Sequence, residues 1–191
     1  MPILTPILTV SDFEARPYNI SFNNTKSMTS DVLESEIIKR QDEFLTYILG
    51  YQEKYNLEND NAGAFPTSQK WVDFINGVSY VKDGYNIDYK GIKEALKNFT
   101  YYWYLRNNTT QTNGFGGLKM DTKNAEVVVQ SDKMYNAWNE MVDLILKAPN
   151  YMQNTVVINR SQYPTIWNYL YDNDFDAKMD IEVFRKIQNI Y

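Results

Sequence analysis

The stretch Lys93–Asp132, "KEALKNFTYYWYLRNNTTQTNGFGGLKMDTKNAEVVVQSD", decides how the rest of the chain is read. It opens as a dense aromatic helix, runs into a long series of Asn, Thr and Gly, and closes on three valines. Ile92, Leu96, Phe99 and Trp103 recur at helical spacing, and Tyr101, Tyr102 and Tyr104 fan around that stripe. A helix so apolar on several sides belongs at the centre of a domain or is shared with another subunit. The Thr/Gly-rich segment that follows, residues 109–130, is longer than the loops of compact domains, and such loops are functional or disordered.

Outward from that stretch the pattern is mainly α. Ser30 and Asp31 are N-cap types ahead of a helix whose stripe is Leu33, Ile37, Ile38, Phe44, Leu45, Ile48 and Leu49, with Gly50 ending or weakening it. "NLENDNAGAFPTSQ" is a loop. "QKWVDFINGVSYV" gives a short helix around Trp71, Phe74 and Ile75, closed near Gly77. "KDGYNID" reads as a turn with Asp88 as cap to the aromatic helix, placed at Tyr89–Leu105. Ser131 caps a fourth helix with Met134, Trp138, Met141, Val142 and Ile145 inward, stopped by Pro149. Pro164 opens a fifth, with Ile166, Trp167 and Leu170 inward. Short β segments fit at Glu126–Val129 and near Ile181–Phe184, where the period of the tail is ambiguous between strand and helix. The expected fold is a small helical bundle with a long inter-helix loop. It divides into an extended N-terminal arm (1–29), a helical core (30–172) and a C-terminal tail (173–191).

The arm carries Ile7, Val10, Phe13, Tyr18, Ile20 and Phe22 without a period, among Pro and Asn. Each needs a surface, so the arm docks on its own core or on a neighbour, and it is expected to pack largely on other chains.

Composition narrows the chemistry. Among 191 residues there is no Cys and no His. Disulfides, thiol nucleophiles, zinc fingers and a Ser-His-Asp triad are therefore excluded, and no imidazole serves as a general base. The net charge of −5 makes the chain a poor coat for nucleic acid, where binding runs on Lys and Arg. "MPILTPILTV" lacks the basic region of a secretory signal, and no apolar run spans a bilayer. The sequons at Asn19, Asn23, Asn98, Asn107, Asn108 and Asn159 are those expected by chance in an Asn-rich chain.

Three patterns suggest ligands. "GFGG" at Gly114–Gly117 lacks the preceding strand and the following Gly-Lys-Ser/Thr of a phosphate loop, and reads as a flexible tip. Asp172, Asp174 and Asp176 begin like a calcium loop, but Ala177 stands where the turn Gly belongs and Val183 where the bidentate Glu belongs. Glu34, Glu36, Asp42 and Glu43 lie along one helix, and nothing sets two of them across a cleft. No catalytic, cofactor or metal residue is assigned. The unusual feature is 16 Tyr, 9 Phe and 4 Trp: either a tyrosine-rich core or a binding surface. The expected partner contacts are Phe13, Tyr18, Phe22, Tyr101, Tyr104, Gly114, Phe115, Gly116, Gly117, Leu118 and Val128.

In order, "EIIKRQDEFLTYILGY" (36–51), "WVDFINGVSYV" (71–81), "GIKEALKNFTYYWYL" (91–105), "TTQTNGFGGLKM" (109–120), "SDKMYNAWNEMVDLIL" (131–146) and "YPTIWNYLYDN" (163–173) form a series. The series resembles the head-to-tail connector, or neck, proteins of tailed bacteriophages, most closely the ring proteins of crAss-like phages, over roughly residues 12–172. The resemblance lies in helices and loop chemistry. It implies a virion structural protein, made in the host bacterial cytoplasm, that forms a homo-oligomeric ring, commonly twelve-fold, beneath the portal. Its partners would be the portal and neighbouring neck or tail proteins, with genomic DNA passing through the centre without sequence-specific binding. No active site, cofactor or membrane is implied, and an acidic wall suits a conduit that must not grip phosphate. The alternatives are a head-closure or tail-completion protein and, from another class, a carboxylate- or calcium-dependent enzyme.

Overall fold

The computed structural model describes residues 5–15, 17–18, 27–108, 111–113, 116–118, 130–146 and 164–185. Five helices dominate: α1 (Ser27–Asn59), α2 (Gln69–Asn76), α3 (Lys93–Asn108), α4 (Gln130–Leu146) and α5 (Ile166–Asp172). Two antiparallel hairpins interrupt them, β1 (Val78–Lys82) with β2 (Tyr85–Tyr89), and β3 (Gln111–Asn113) with β4 (Gly116–Leu118). The protein is mainly α, as its periodicity implies. No helix among the described residues is long and apolar enough to cross a membrane.

α1 begins at Ser27, ahead of the expected Ser30–Asp31 cap, so the arm does not reach residue 29. Within it Gly50 has φ 72° and ψ 172°, so α1 is two helical halves that meet at a kink there. Leu33, Ile37, Phe44, Leu45, Ile48 and Leu49 are buried, but Ile38 is 40% exposed and falls outside the stripe.

The segment expected to be only a turn is a hairpin. Asp83 and Gly84 have φ 52° and 79°, the pair of left-handed residues that a two-residue type I′ turn needs. Val78, Tyr80, Ile87 and Tyr89 share its inner face, with Tyr80 opposite Ile87 and Val78 opposite Tyr89. Tyr89 therefore ends a strand and does not start α3. The chain leaves β2 through Gly91 (φ 79°), which lies against Gly77 (φ 92°) at the exit of α2. A Cβ on Gly77 would stand 2.5 Å from the Tyr89 carbonyl oxygen, and one on Gly91 2.4 Å from that of Ile75. Only glycine permits this backbone approach.

The aromatic residues resolve into packed clusters. Phe44, Phe99 and Phe184 meet between α1, α3 and the C-terminal segment, and Trp138 of α4 and Trp103 of α3 extend them. Tyr89 and Tyr169 stack with centroids 3.9 Å apart, flanked by Tyr80 and Phe175. Phe175 also meets Trp71 and Phe74 of α2. Edge-to-face and offset pairs of this kind add about 0.5–1.5 kcal/mol each beyond area burial. α5 is set by a capping box: the Asn168 amide donates to Thr165 Oγ1 (3.2 Å), and the Thr165 amide to Asn168 Oδ1 (3.3 Å). Its inward residues are Ile166, Tyr169 and Leu170; Trp167, expected inward, is 39% exposed.

The C-terminal segment is docked over its described length, 173–185. Ile181–Val183 forms a 3-10 turn where the period is ambiguous between strand and helix, and Phe184 is fully buried. Glu126–Val129, the other expected strand, lies outside the described residues.

Burial raises the pKa values of several tyrosines. Tyr169 is pushed up to about 12, first by burial and then by the Asp73 carboxylate. Burial also raises Tyr89, helped by Tyr169 and Tyr80, and raises Tyr101 and Tyr104. The folded state thus holds these protons more tightly than the unfolded chain, whose tyrosines titrate near 10. The contribution of Tyr169 is complete below pH 10 and is lost as pH rises through about 12. Urea midpoints should be flat from pH 7 to 9 and fall steeply above pH 10. A midpoint unchanged at pH 11 would contradict the buried tyrosine cluster.

Candidate partner interface

α3 packs between α1 and α4, and the β3–β4 hairpin lies in the connection from α3 to α4. Gln111 faces Leu118, Thr112 faces Gly117 and Asn113 faces Gly116. The long polar loop therefore contains paired strands. Among the expected contacts, Gly116, Gly117 and Leu118 are in β4. Gly114, Phe115, Phe22 and Val128 lie outside the described residues. A phosphate loop delivers its glycines straight onto a helix, whereas here α4 starts only at Gln130.

The end of α3 that leads into the hairpin is fastened to α1. The Arg40 guanidinium is 4.4 Å from the centroid of Trp103, and that of Arg106 is 4.8 Å from it. Arg40 is itself neutralised by Glu36 (2.8 Å) and Glu43 (2.5 Å) on its own helix. Asn107 donates to the other Glu36 oxygen at 2.9 Å. Stacked, desolvated guanidinium over indole is a stronger contact than an exposed ion pair. The loop thus starts from a fixed point.

Other expected contacts are internal. Phe13 and Tyr18 pack edge-to-face, Tyr18 does the same on Tyr101, and all three are buried. The Tyr18 hydroxyl donates to Glu94 Oε1 at 2.8 Å and lies 3.1 Å from Asn98 Oδ1. Burial and the neighbouring Glu94 raise its pKa. Tyr101 donates to the Tyr18 carbonyl at 3.3 Å, and Tyr104 is half-buried. The described arm is therefore part of this chain's own core, which corrects the expectation that it packs on other chains. Gln41 shows how it is held: its side chain accepts from the Ile7 amide at 2.6 Å, while Thr5 donates to the Gly63 carbonyl. The unpaired backbone of an irregular segment needs such partners.

The sequence reading missed the exposed aromatic residues. Trp167 and Tyr171, four apart on α5, both face outward, Tyr171 at 75% exposure. Val81 and Tyr85 are exposed near the tip of the β1–β2 hairpin, and Tyr51 and Tyr55 on the second half of α1. For the helical pairs on α5 and α1 the signal was available in the (i, i+4) spacing on the polar side of the amphipathic pattern.

Some of the acids are engaged in internal contacts. Asp172 accepts from the Tyr80 hydroxyl at 3.1 Å, and its carbonyl from Lys82 at 3.2 Å, so this turn braces the hairpin against α5. Asp174 occupies a left-handed position, φ 52°. Asp42 is paired with Lys54. Among the described residues no three carboxylates are grouped as a metal would need. The chain matches no family model, no curated protein and no solved structure.

Proposed function

We propose that this chain is a structural virion protein of a tailed bacteriophage, assembling as a ring in the head-to-tail connector beneath the portal. The observation that carries the reading is the order of elements in residues 36–173, whose helices and polar loop resemble those of neck proteins. The helix-loop-helix unit of α3, the β3–β4 hairpin and α4 supports it. The helix pair leads into a short hairpin that, among the described residues, pairs with no further strand, and exposed edges recruit further strands. The acidic balance of the chain suits a passage for DNA that must not bind it.

In this role the hairpin contacts the neighbouring subunit or the portal. Native mass spectrometry of the purified chain, alone and mixed with portal complexes, should give closed rings, twelve-fold as the resemblance implies. Phe115→Ala combined with Leu118→Ala should weaken assembly at least tenfold while the circular dichroism and melting temperature of the subunit stay unchanged. Rings that form equally well with both anchors removed would take the hairpin out of the interface. A chain that is monomeric with and without the portal would sink the ring itself.

A further inference from the structure

We propose that residues 175–185 are a conformational strap that holds α1 bent at Gly50, giving the subunit a strap-seated and a strap-released form. This inference stands on the fold and is independent of the ring reading. The strap crosses the break itself. The Lys178 amide donates to the Leu49 carbonyl at 3.2 Å, and the Asp180 amide to the Tyr47 carbonyl at 2.9 Å. Those two carbonyls belong to the last turn before Gly50. The strap is then pinned on both sides. Phe175 is inserted against Trp71, Phe74 and Tyr169. Phe184 is buried between Phe44 and Tyr47, and the Trp138 indole donates to the Arg185 carbonyl at 2.7 Å.

The sequence around the break does not require a bend. Leu45–Leu49 and Tyr51–Leu57 are helix-compatible on both sides, and a single glycine inside a helix weakens it without dictating φ near +72°. The strap favours the bent form by supplying donors to the carbonyls at the break and filling the apolar space beside them, together with the Lys54–Asp42 ion pair that the bend makes across the two halves and the buried Leu57. With the strap withdrawn, the ladder of α1 can run on through residue 50, as carbonyls at a helix end find donors most directly in the next turn. Release would also uncover the faces of Phe44 and Tyr47 that Phe184 now covers.

Gly50 makes the equilibrium adjustable. A Cβ there would meet Lys178 Cβ at 3.2 Å and would sit on a left-handed backbone, so Gly50→Ala opposes both the bend and the seated strap. The chain has no cysteine, so spin labels go only where cysteines are introduced. Glu34 and Asn56, exposed on the two halves of α1, are suitable positions. In a continuous helix they would stand about 33 Å apart along the axis at 1.5 Å per residue.

Double electron–electron resonance on the otherwise native chain should give one distance shorter than that. Gly50→Ala with Phe184→Ala should add a narrow component near the straight-helix value, with no loss of helical circular dichroism. Lys178→Pro, which removes one strap donor and leaves the core intact, should add the same component in smaller proportion. An unchanged distance in all variants overturns the proposal. So does a broad distribution without the long narrow component, because the strap would then serve stability alone.

Discussion

Replacing Phe13 with alanine lowers the stability of the isolated subunit by about 3–5 kcal/mol, the range for emptying a buried phenylalanine site. Phe13 is 0% exposed, and it closes the row formed with Tyr18 and Tyr101. The loss comes from transfer of the ring to water and from the cavity left beside Tyr18. Collapse of the surroundings is limited, because Tyr18 is tied to Glu94 and Asn98 and cannot follow. Urea titration followed by tryptophan fluorescence measures the change. A midpoint unmoved by the substitution would mean that the arm is not part of the folded subunit and belongs to other chains after all. Deleting residues 1–18 should act in the same direction and more strongly, since Ile7, Leu8 and Tyr18 leave with Phe13.

Gly91→Ala is expected to cost about 2–5 kcal/mol, from a left-handed backbone penalty of about 1–2 kcal/mol plus the cost of overpacking. The new Cβ would stand 2.4 Å from the Ile75 carbonyl oxygen and 2.7 Å from the Gly77 amide nitrogen. Both obstacles are backbone, so no side-chain rotation relieves them. The β1–β2 hairpin and the start of α3 would have to separate from α2, breaking the 3.3 Å bond from the Ile92 amide to the Ile75 carbonyl. Gly84→Ala is the control. It has a similar φ of 79° but no atom within 4 Å of the would-be Cβ, so only the backbone penalty applies. Equal effects at the two positions would show that the close approach of Gly77 and Gly91 contributes nothing.

The helices were legible because their signals are local. Trp71, Phe74 and Ile75 in α2, and Met141, Val142 and Ile145 in α4, are inward as their spacing implies. The β1–β2 hairpin was missed although its mark was present: Asp83-Gly84 is a hairpin dipeptide, and Val78 and Tyr80 alternate with polar Ser79. Reading Asp88 as a helix cap extended α3 backwards over a strand. Whether a tyrosine is buried depends on what covers it. Tyr101 is inward because the distant Tyr18 lies on it, and Phe184 is inward because the C-terminal segment returns to α1. No local period encodes either contact, whose partners are far apart in sequence. On α5 Ile166 and Leu170 are inward as expected, but the third inward residue is Tyr169, stacked on Tyr89, and Trp167 is outside. The proposed interface inherits this asymmetry, with the position of its hairpin readable from composition and its partner not encoded locally at all.

The most direct test of the proposed connector role is to look for this chain in virions of a tailed phage by a symmetric cryomicroscopy reconstruction of the neck. The assignment predicts a ring of copies of the α1–α5 fold between portal and tail, the β3–β4 hairpin of each reaching a neighbouring subunit or the portal. Purified virions that lack the chain, or that hold it elsewhere than in a ring around the DNA path, would contradict it.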